Sequence, residues 1–351
     1  MLLCLAAIAL TDAAFAAQPV DPVAESEPLA ADRDLREDRP TDTARCVAQP
    51  KDEHWLDKVQ GGVHSSVCHS ARWVDGFFGE NDGPEYEGAY GFVAASLLYS
   101  EHDELEARGR FRAHIPLPNA SQTWNAVVGR LAEDEYLTDR ADANDPFQSF
   151  VRDDAENDWL VGLGYRPPSQ GNPWSFSVGV RLSSGLSPYA KANYRYIKPL
   201  SDTQLFRWHQ TIFWRHKVGF GTTTNLTHET WFSDAFLFRA AGSGTFSEDT
   251  QGVDWYTSGT LFHNIGNGNA FSYRAFAEGE TKAPVELRDT GFRVTYRRQT
   301  FRPWFYVDYI AGLSYIRETP NAKRDLSAVI GIGFELQFGD GTVFGDRQPG
   351  I

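Results

Sequence analysis

From Tyr90 to Phe338 the chain alternates apolar and polar residues with a period of two, run after run. Between Trp174 and Leu182, the set Trp174, Phe176, Val178, Val180 and Leu182 alternates with Ser175, Ser177, Gly179 and Arg181. From Phe305, the set Phe305, Val307, Tyr309, Ala311, Leu313 and Tyr315 alternates with residues that include Asp308, Gly312 and Ser314. The last run sets Leu326, Ala328, Ile330, Ile332, Phe334, Leu336 and Phe338 against Ser327, Gly331, Gly333, Glu335 and Gln337. Successive side chains of a strand point to opposite faces, so each run is a strand with one apolar face. That face must meet lipid or a core. A helix does not fit, because Gly, Ser, Thr and β-branched residues fill these runs and no caps bracket them.

The cut points predict strands at 90–100, 104–116, 122–132, 158–167, 173–184, 188–199, 203–217, 222–232, 235–247, 252–263, 270–281, 287–300, 303–317 and 325–338. They have the length that a tilted membrane-barrel strand needs, about 9–11 residues. An even number, about 14 with a range of about 12–16, returns both chain ends to one side. The fold class expected is therefore all-β: a transmembrane antiparallel up-and-down β-barrel over 89–338. Breaker clusters at Ile115–Ser121, Pro167–Pro173, Gly266–Asn269 and Arg302-Pro303 suit short turns at one rim. The longest connection, 133–158, carries ten Asp/Glu and two Arg and belongs at the other rim. It reads as a solvated loop, with divalent cations or surface partners as the rival reading.

Composition agrees. Aromatics make up 14% of the chain while mean hydropathy is -0.43. An aliphatic-cored soluble enzyme rarely combines the two; a barrel with aromatic girdles and a polar interior does. No apolar run after the N-terminus reaches the roughly 18 residues of a membrane helix. A net charge of -14 with no basic tail excludes a general nucleic-acid binder. A secreted soluble all-β binding protein, such as a sandwich or propeller, is the competing architecture.

Before the barrel, Leu2–Leu10 is apolar and Ala14-Phe15-Ala16 precedes Ala17, so 1–16 reads as a signal peptide. Residues 17–45 are rich in Pro, Ala and acids and read as disordered. Residues 46–88 form a periplasmic extension whose Cys46 and Cys68 are expected to pair as a disulfide. Metal binding by His64, Cys68 and His69 is the weaker alternative, since adjacent Cys68-His69 is poor geometry for one ion. Residues 339–351 are a tail. No cofactor, metal site or catalytic residue is assigned.

Gly331, Phe334, Leu336 and Phe338 resemble the C-terminal signal that Gram-negative outer-membrane β-barrel proteins present to their assembly machinery. The usual signal ends the chain, whereas here a tail follows. The resemblance is to the porin-like class and reaches no subfamily. It implies a cell outer membrane location with both termini periplasmic. It also implies contact with membrane lipid, lipopolysaccharide and the β-barrel assembly machinery.

If the apolar set faces lipid, the other set faces the lumen. An Arg facing lipid at midplane would cost roughly 2–4 kcal/mol. The second strand then points Glu106, Arg108, Arg110, Arg112 and His114 inward. Arg181, Lys191, Asn193, Arg195, Arg207, His209, Arg215, Arg293, Thr295 and Arg297 follow from later strands. Glu229, Glu278, Glu280, Asp308 and Glu335 are the acidic counterparts. One reading is a transport pore that draws a small anionic solute. The other is a charge-paired interior that only stiffens a structural barrel. An outer-membrane lipid-modifying hydrolase, of phospholipase or lipid A deacylase type, is the enzymatic alternative. His228-Glu229 with Ser233, and His102 with Ser100, are its nearest arrangements, and neither has the family's His-x-Ser pattern. The strand histidines His209, His228 and His263 are expected in interior hydrogen-bond networks.

Overall fold

A computed structural model describes residues 89–102, 104–117, 123–131, 134–138, 158–167, 173–182, 185–317 and 319–339. The leader 1–16, the segments 17–45 and 46–88 with Cys46, His64, Cys68 and His69, and the tail from 340 lie outside the described residues, as does most of 133–158.

The alternating runs become β1 (Tyr90–Ser100), β2 (Glu104–Pro116), β3 (Trp124–Leu131), β4 (Asp158–Tyr165), β5 (Trp174–Leu182), β6 (Leu186–Ser201) and β7 (Gln204–Arg215). Then come β8 (Gly219–Ser233), β9 (Phe236–Ser247), β10 (Asp254–Gly266), β11 (Asn269–Glu280), β12 (Asp289–Gln299), β13 (Phe305–Ile316) and β14 (Asp325–Phe338). Each strand pairs antiparallel with the next, and β14 returns to β1, so the sheet closes as a barrel. The closing seam runs in unbroken register from Gly91 opposite Phe338 to Ser100 opposite Val329. Closure pairs every strand on both sides and leaves no edge exposed.

β6, with 16 residues, and β8, with 15, are longer than their sequence patterns suggest. Pro188 and Pro199 hid this in β6. Pro188 lacks a donor, but its carbonyl still accepts from the His216 backbone N–H at 3.0 Å. The β10–β11 hairpin turns on Asn267-Gly268, both with positive φ (53° and 72°), as a tight two-residue turn demands. Both ends of the barrel segment, the 202–203, 234–235 and 267–268 turns, and the 300–304 connection share one rim, called here the terminal rim. The 132–157 connection marks the opposite, loop rim.

The outer face is apolar and uncovered over most of the wall. Val161, Val178, Ile212, Leu226, Leu313 and Ile330 are exposed along its middle. Aromatics ring the wall near the terminal rim. Trp124 meets Tyr165 and Trp174 meets Tyr194, each at 5.0 Å. Tyr194 meets Trp208 at 5.6 Å. Phe271 meets Tyr296 at 4.7 Å, and Tyr296 meets Tyr309 at 6.1 Å. A second belt of exposed aromatics, Tyr99, Trp159, Phe220, Phe246 and Tyr315, lies toward the loop rim. Beside the seam at the terminal rim, Ala113, Ile115, Ala126, Leu336 and Phe338 form a buried apolar cluster, with Phe111 packed against it.

Candidate functional site

The register settles which residues share the inner face. On β2, Arg108, Arg110 and Arg112 lie opposite Ser96, Ala94 and Phe92 of β1. Those three in turn lie opposite Gly333, Glu335 and Gln337 of β14. Ser96, Ala94 and Gly333 are small, whereas Phe92, Glu335 and Gln337 supply the ring, carboxylate and amide that face this arginine row. Arg108 donates to Glu106 at 2.6 and 2.5 Å, and the Arg110 guanidinium stands 5.4 Å over the Phe92 ring. Arg112 sits on the same face beside His114, which also feels the charges of Lys191 and Arg166 and stacks on Tyr90 at 5.0 Å.

Two acid–base clusters dominate the wall near the terminal rim. Arg297 holds Asp308 with two donors, at 2.8 and 2.6 Å, and reaches Glu335 at 3.2 Å. Gln337 caps the other oxygen of Glu335 at 2.7 Å, and Tyr306 lies under the Arg297 guanidinium at 5.1 Å. On β8, five strands round the ring from β13, Glu229 is 2% exposed and accepts from Arg207 at 2.7 Å and Arg239 at 2.8 Å. Phe262 backs the Arg239 guanidinium at 4.9 Å. Both carboxylate sites are built from three consecutive strands, so the strand register brings the partners together.

Elsewhere, Arg274 bonds Thr260 at 2.9 Å and Arg293 bonds Ser314 at 2.8 Å. Arg274 and Arg293 are direct cross-strand neighbours, and two inward positions further on, past Phe276 and Gly291, Glu278 faces Asp289 in the same way. Ser314 links the two layers by donating to Asp289 at 3.2 Å. Arg181 pairs with Asp158 at 2.5 Å near the loop rim. Arg195 and Arg215 share the inner face with Lys191 and His209, toward opposite rims, and Glu280 faces Asp254 at the loop rim.

The inward charges are not evenly spread. In the half of the strands nearest the terminal rim the bases are Arg110, Arg112, Arg195, Arg207, Arg239 and Arg297, against the acids Glu229, Asp308 and Glu335, while the cross-strand neighbours Arg274 and Arg293 sit at mid-height. Nearest the loop rim the acids are Glu104, Glu106, Asp158, Asp254, Glu278, Glu280, Asp289 and Asp325, with Arg108, Arg181, Lys191 and Arg215.

The interior also holds apolar residues that sequence reasoning missed. A single wide helical turn, Asp134–Thr138, folds inward from the long connection and packs against β7. Its Leu137 is 0% exposed, and Tyr136 lies 5.4 Å from Tyr189. These two join one cluster with Leu98, Leu160, Phe213, Ile310 and Val329, drawn from strands on different sides of the ring. Tyr189 lies flat on the wall because Gly162 and Gly179 leave room: a Cβ at either would come within 2.6 Å of its hydroxyl. Tyr136, Leu137 and Thr138 of the connection are thus buried inside rather than part of a solvated loop.

Arg239, Arg274, Asp158 and Asp289 were also absent from the sequence-based set, although each falls on the polar side of its run. For the histidines, the interior expectation needs correcting. His263 points outward and stacks on Phe236 at 4.3 Å within the aromatic belt. His228 is likewise on the outer face, opposite Phe206 and Ala240. His209 is on the inner face, opposite Asn225.

An exposed apolar exterior between two aromatic belts, around a charged interior, defines a β-barrel of the membrane-spanning class. A soluble sandwich is not favoured: it needs two sheets packed face to face, and here one sheet closes on itself. No protein family matches the chain, and no curated protein matches it. Among solved structures, the KdgM porin in complex with disordered oligogalacturonate aligns at 6% identity over 70% of this chain and 99% of its own, with a TM-score of 0.35. A bacterial polysaccharide outer membrane secretin aligns at 10% identity over 72% and 99%, with a TM-score of 0.43. The anion-selective porin from Comamonas acidovorans aligns at 8% identity over 71% and 98%, with a TM-score of 0.39.

Proposed function

We propose that this chain is an outer-membrane channel of a Gram-negative cell, exported by its leader, with both ends of the barrel periplasmic. Its cargo is a small anionic solute. The observation that carries the reading is the inward set of arginines, which outnumber the carboxylates beside them in the terminal half of the wall. A ring of like charge raises the local concentration of the opposite ion and sets selectivity. The inner turn at Tyr136-Leu137 narrows the path on the loop side and makes the channel a restrictive one. Lipid and lipopolysaccharide cover the outer wall, and the assembly machinery reads Phe334, Leu336 and Phe338 on the last strand.

The test is single-channel conductance of the refolded protein in a planar bilayer, first in symmetric salt and then in a gradient. Stable steps with an anion-shifted reversal potential are expected. Replacing Arg108, Arg110 and Arg112 together with Ser should lower the anion-to-cation permeability ratio roughly twofold or more. A reversal potential that does not move in the triple variant, with folding verified by heat-modifiable gel mobility, removes the arginines as the selectivity element. Absence of any steps from folded protein removes the channel itself.

A further inference from the structure

The lumen has two ends of opposite sign. Arg112, Arg207 and Arg239 lie toward the terminal rim, and Glu278, Glu280 and Asp289 toward the loop rim. The ion pairs within each half, such as Arg297 with Asp308 or Arg181 with Asp158, cancel locally. What each half keeps is its surplus, basic on one side and acidic on the other. The apolar cluster around Tyr136, Leu137 and Ile310 is set on the inner wall, with Leu98, Leu160, Tyr189 and Phe213 on the loop side of their strands.

We infer that the lumen is a bipolar path that conducts ions unequally in the two directions, passing more current when the loop side is positive. The basic half holds anions and the acidic half holds cations, each above its bulk concentration. With the loop side positive, anions are driven inward from the basic end and cations inward from the acidic end. Both carriers accumulate where the halves meet, and conductance rises. With the field reversed, each half is emptied of the carrier it favours, and conductance falls. A uniformly basic lumen would select anions without requiring this two-sided mechanism. The inference rests on the channel reading above and adds direction to it.

Current–voltage curves from single insertions of the full-length protein test this. At about 0.1 M KCl, where charges are felt over about 10 Å, currents at equal and opposite voltages should differ about 1.5-fold or more. At about 1 M KCl, where that reach shrinks to about 3 Å, the asymmetry should disappear. The E278Q/E280Q/D289N variant should flatten the curve at low salt, and so should R112Q/R195Q at the other end. The two-ended dependence is what separates a bipolar path from a merely tapered one. A straight curve for the unaltered protein at low salt overturns the inference and leaves the channel standing. Asymmetry that survives neutralisation of the acidic end overturns it as well. No steps from folded protein overturn the channel reading and this inference together.

Discussion

At Glu229 one carboxylate answers two guanidiniums, Arg207 and Arg239, on the strands either side of it. All three are largely withdrawn from solvent, with side-chain exposures of 2%, 19% and 11%. Deleting one partner of such a set strands the others, and that typically costs about 3–5 kcal/mol. Glu229→Ala is therefore expected to lower the unfolding free energy of the refolded barrel by about that amount in a denaturant titration in lipid vesicles. Replacing all three with apolar residues of similar volume should cost far less, because no buried charge is left over. If the single and triple variants unfold together, Glu229 is not what holds the two arginines. The sequence places Glu229 and Arg207 on inner faces by parity alone. It does not show that they meet, because the partnership depends on register, which the short 216–218 turn between β7 and β8 sets and which alternation alone does not reveal. Arg239 escaped for a related reason. The run 236–247 is mostly small residues, so its alternation is faint even though Phe236, Phe238 and Phe246 mark the outer side.

The element that most changes the interior is the turn Asp134–Thr138. Its sequence, Asp-Glu-Tyr-Leu-Thr, opens an acidic stretch, and charge alone argues for solvent. The contrary signal is the apolar pair Tyr136-Leu137, together with apolar residues at inward positions elsewhere: Leu98, Leu160, Tyr189, Phe213, Ile310 and Val329. Each breaks the alternation of its own strand. Taken together they mark a patch on the inner wall that needs an apolar partner from somewhere in the chain. Strand existence was legible throughout, because period-2 alternation is a backbone property and survives without tertiary context. The inner turn was not, because its burial depends on six strands meeting first. Y136G/L137S is expected to raise single-channel conductance roughly twofold by widening this constriction. Selectivity should persist, since the arginines stay in place. Unchanged conductance in the folded variant would mean that the turn does not bound the ion path.

The whole molecule depends on one seam. Thirteen of the fourteen pairings join strands adjacent in sequence, and only β1 with β14 joins strands from the two ends of the barrel segment. That pairing closes the longest loop the chain has to close, so its entropy cost is met last. Ten residue pairs, Gly91–Ser100 against Val329–Phe338, make it. At its terminal end Phe338 is 1% exposed, stacks 6.5 Å from Phe111 of β2, and shares a cluster with Leu336, Ala113 and Ile115. The aromatic that the sequence offers as an assembly signal thus also clamps the last strand across the first to the second. Phe338→Ala should remove about 3–5 kcal/mol of packing at the seam. Phe334→Ala, whose side chain is exposed on the outer wall, should cost much less. The difference is read as the denaturant midpoint and as the fraction of refolded protein with heat-modifiable mobility in detergent and lipid. A Phe338 variant that closes as readily as the Phe334 variant would show that backbone pairing alone holds the seam. The terminal aromatic would then serve recognition during assembly and not the stability of the closed barrel.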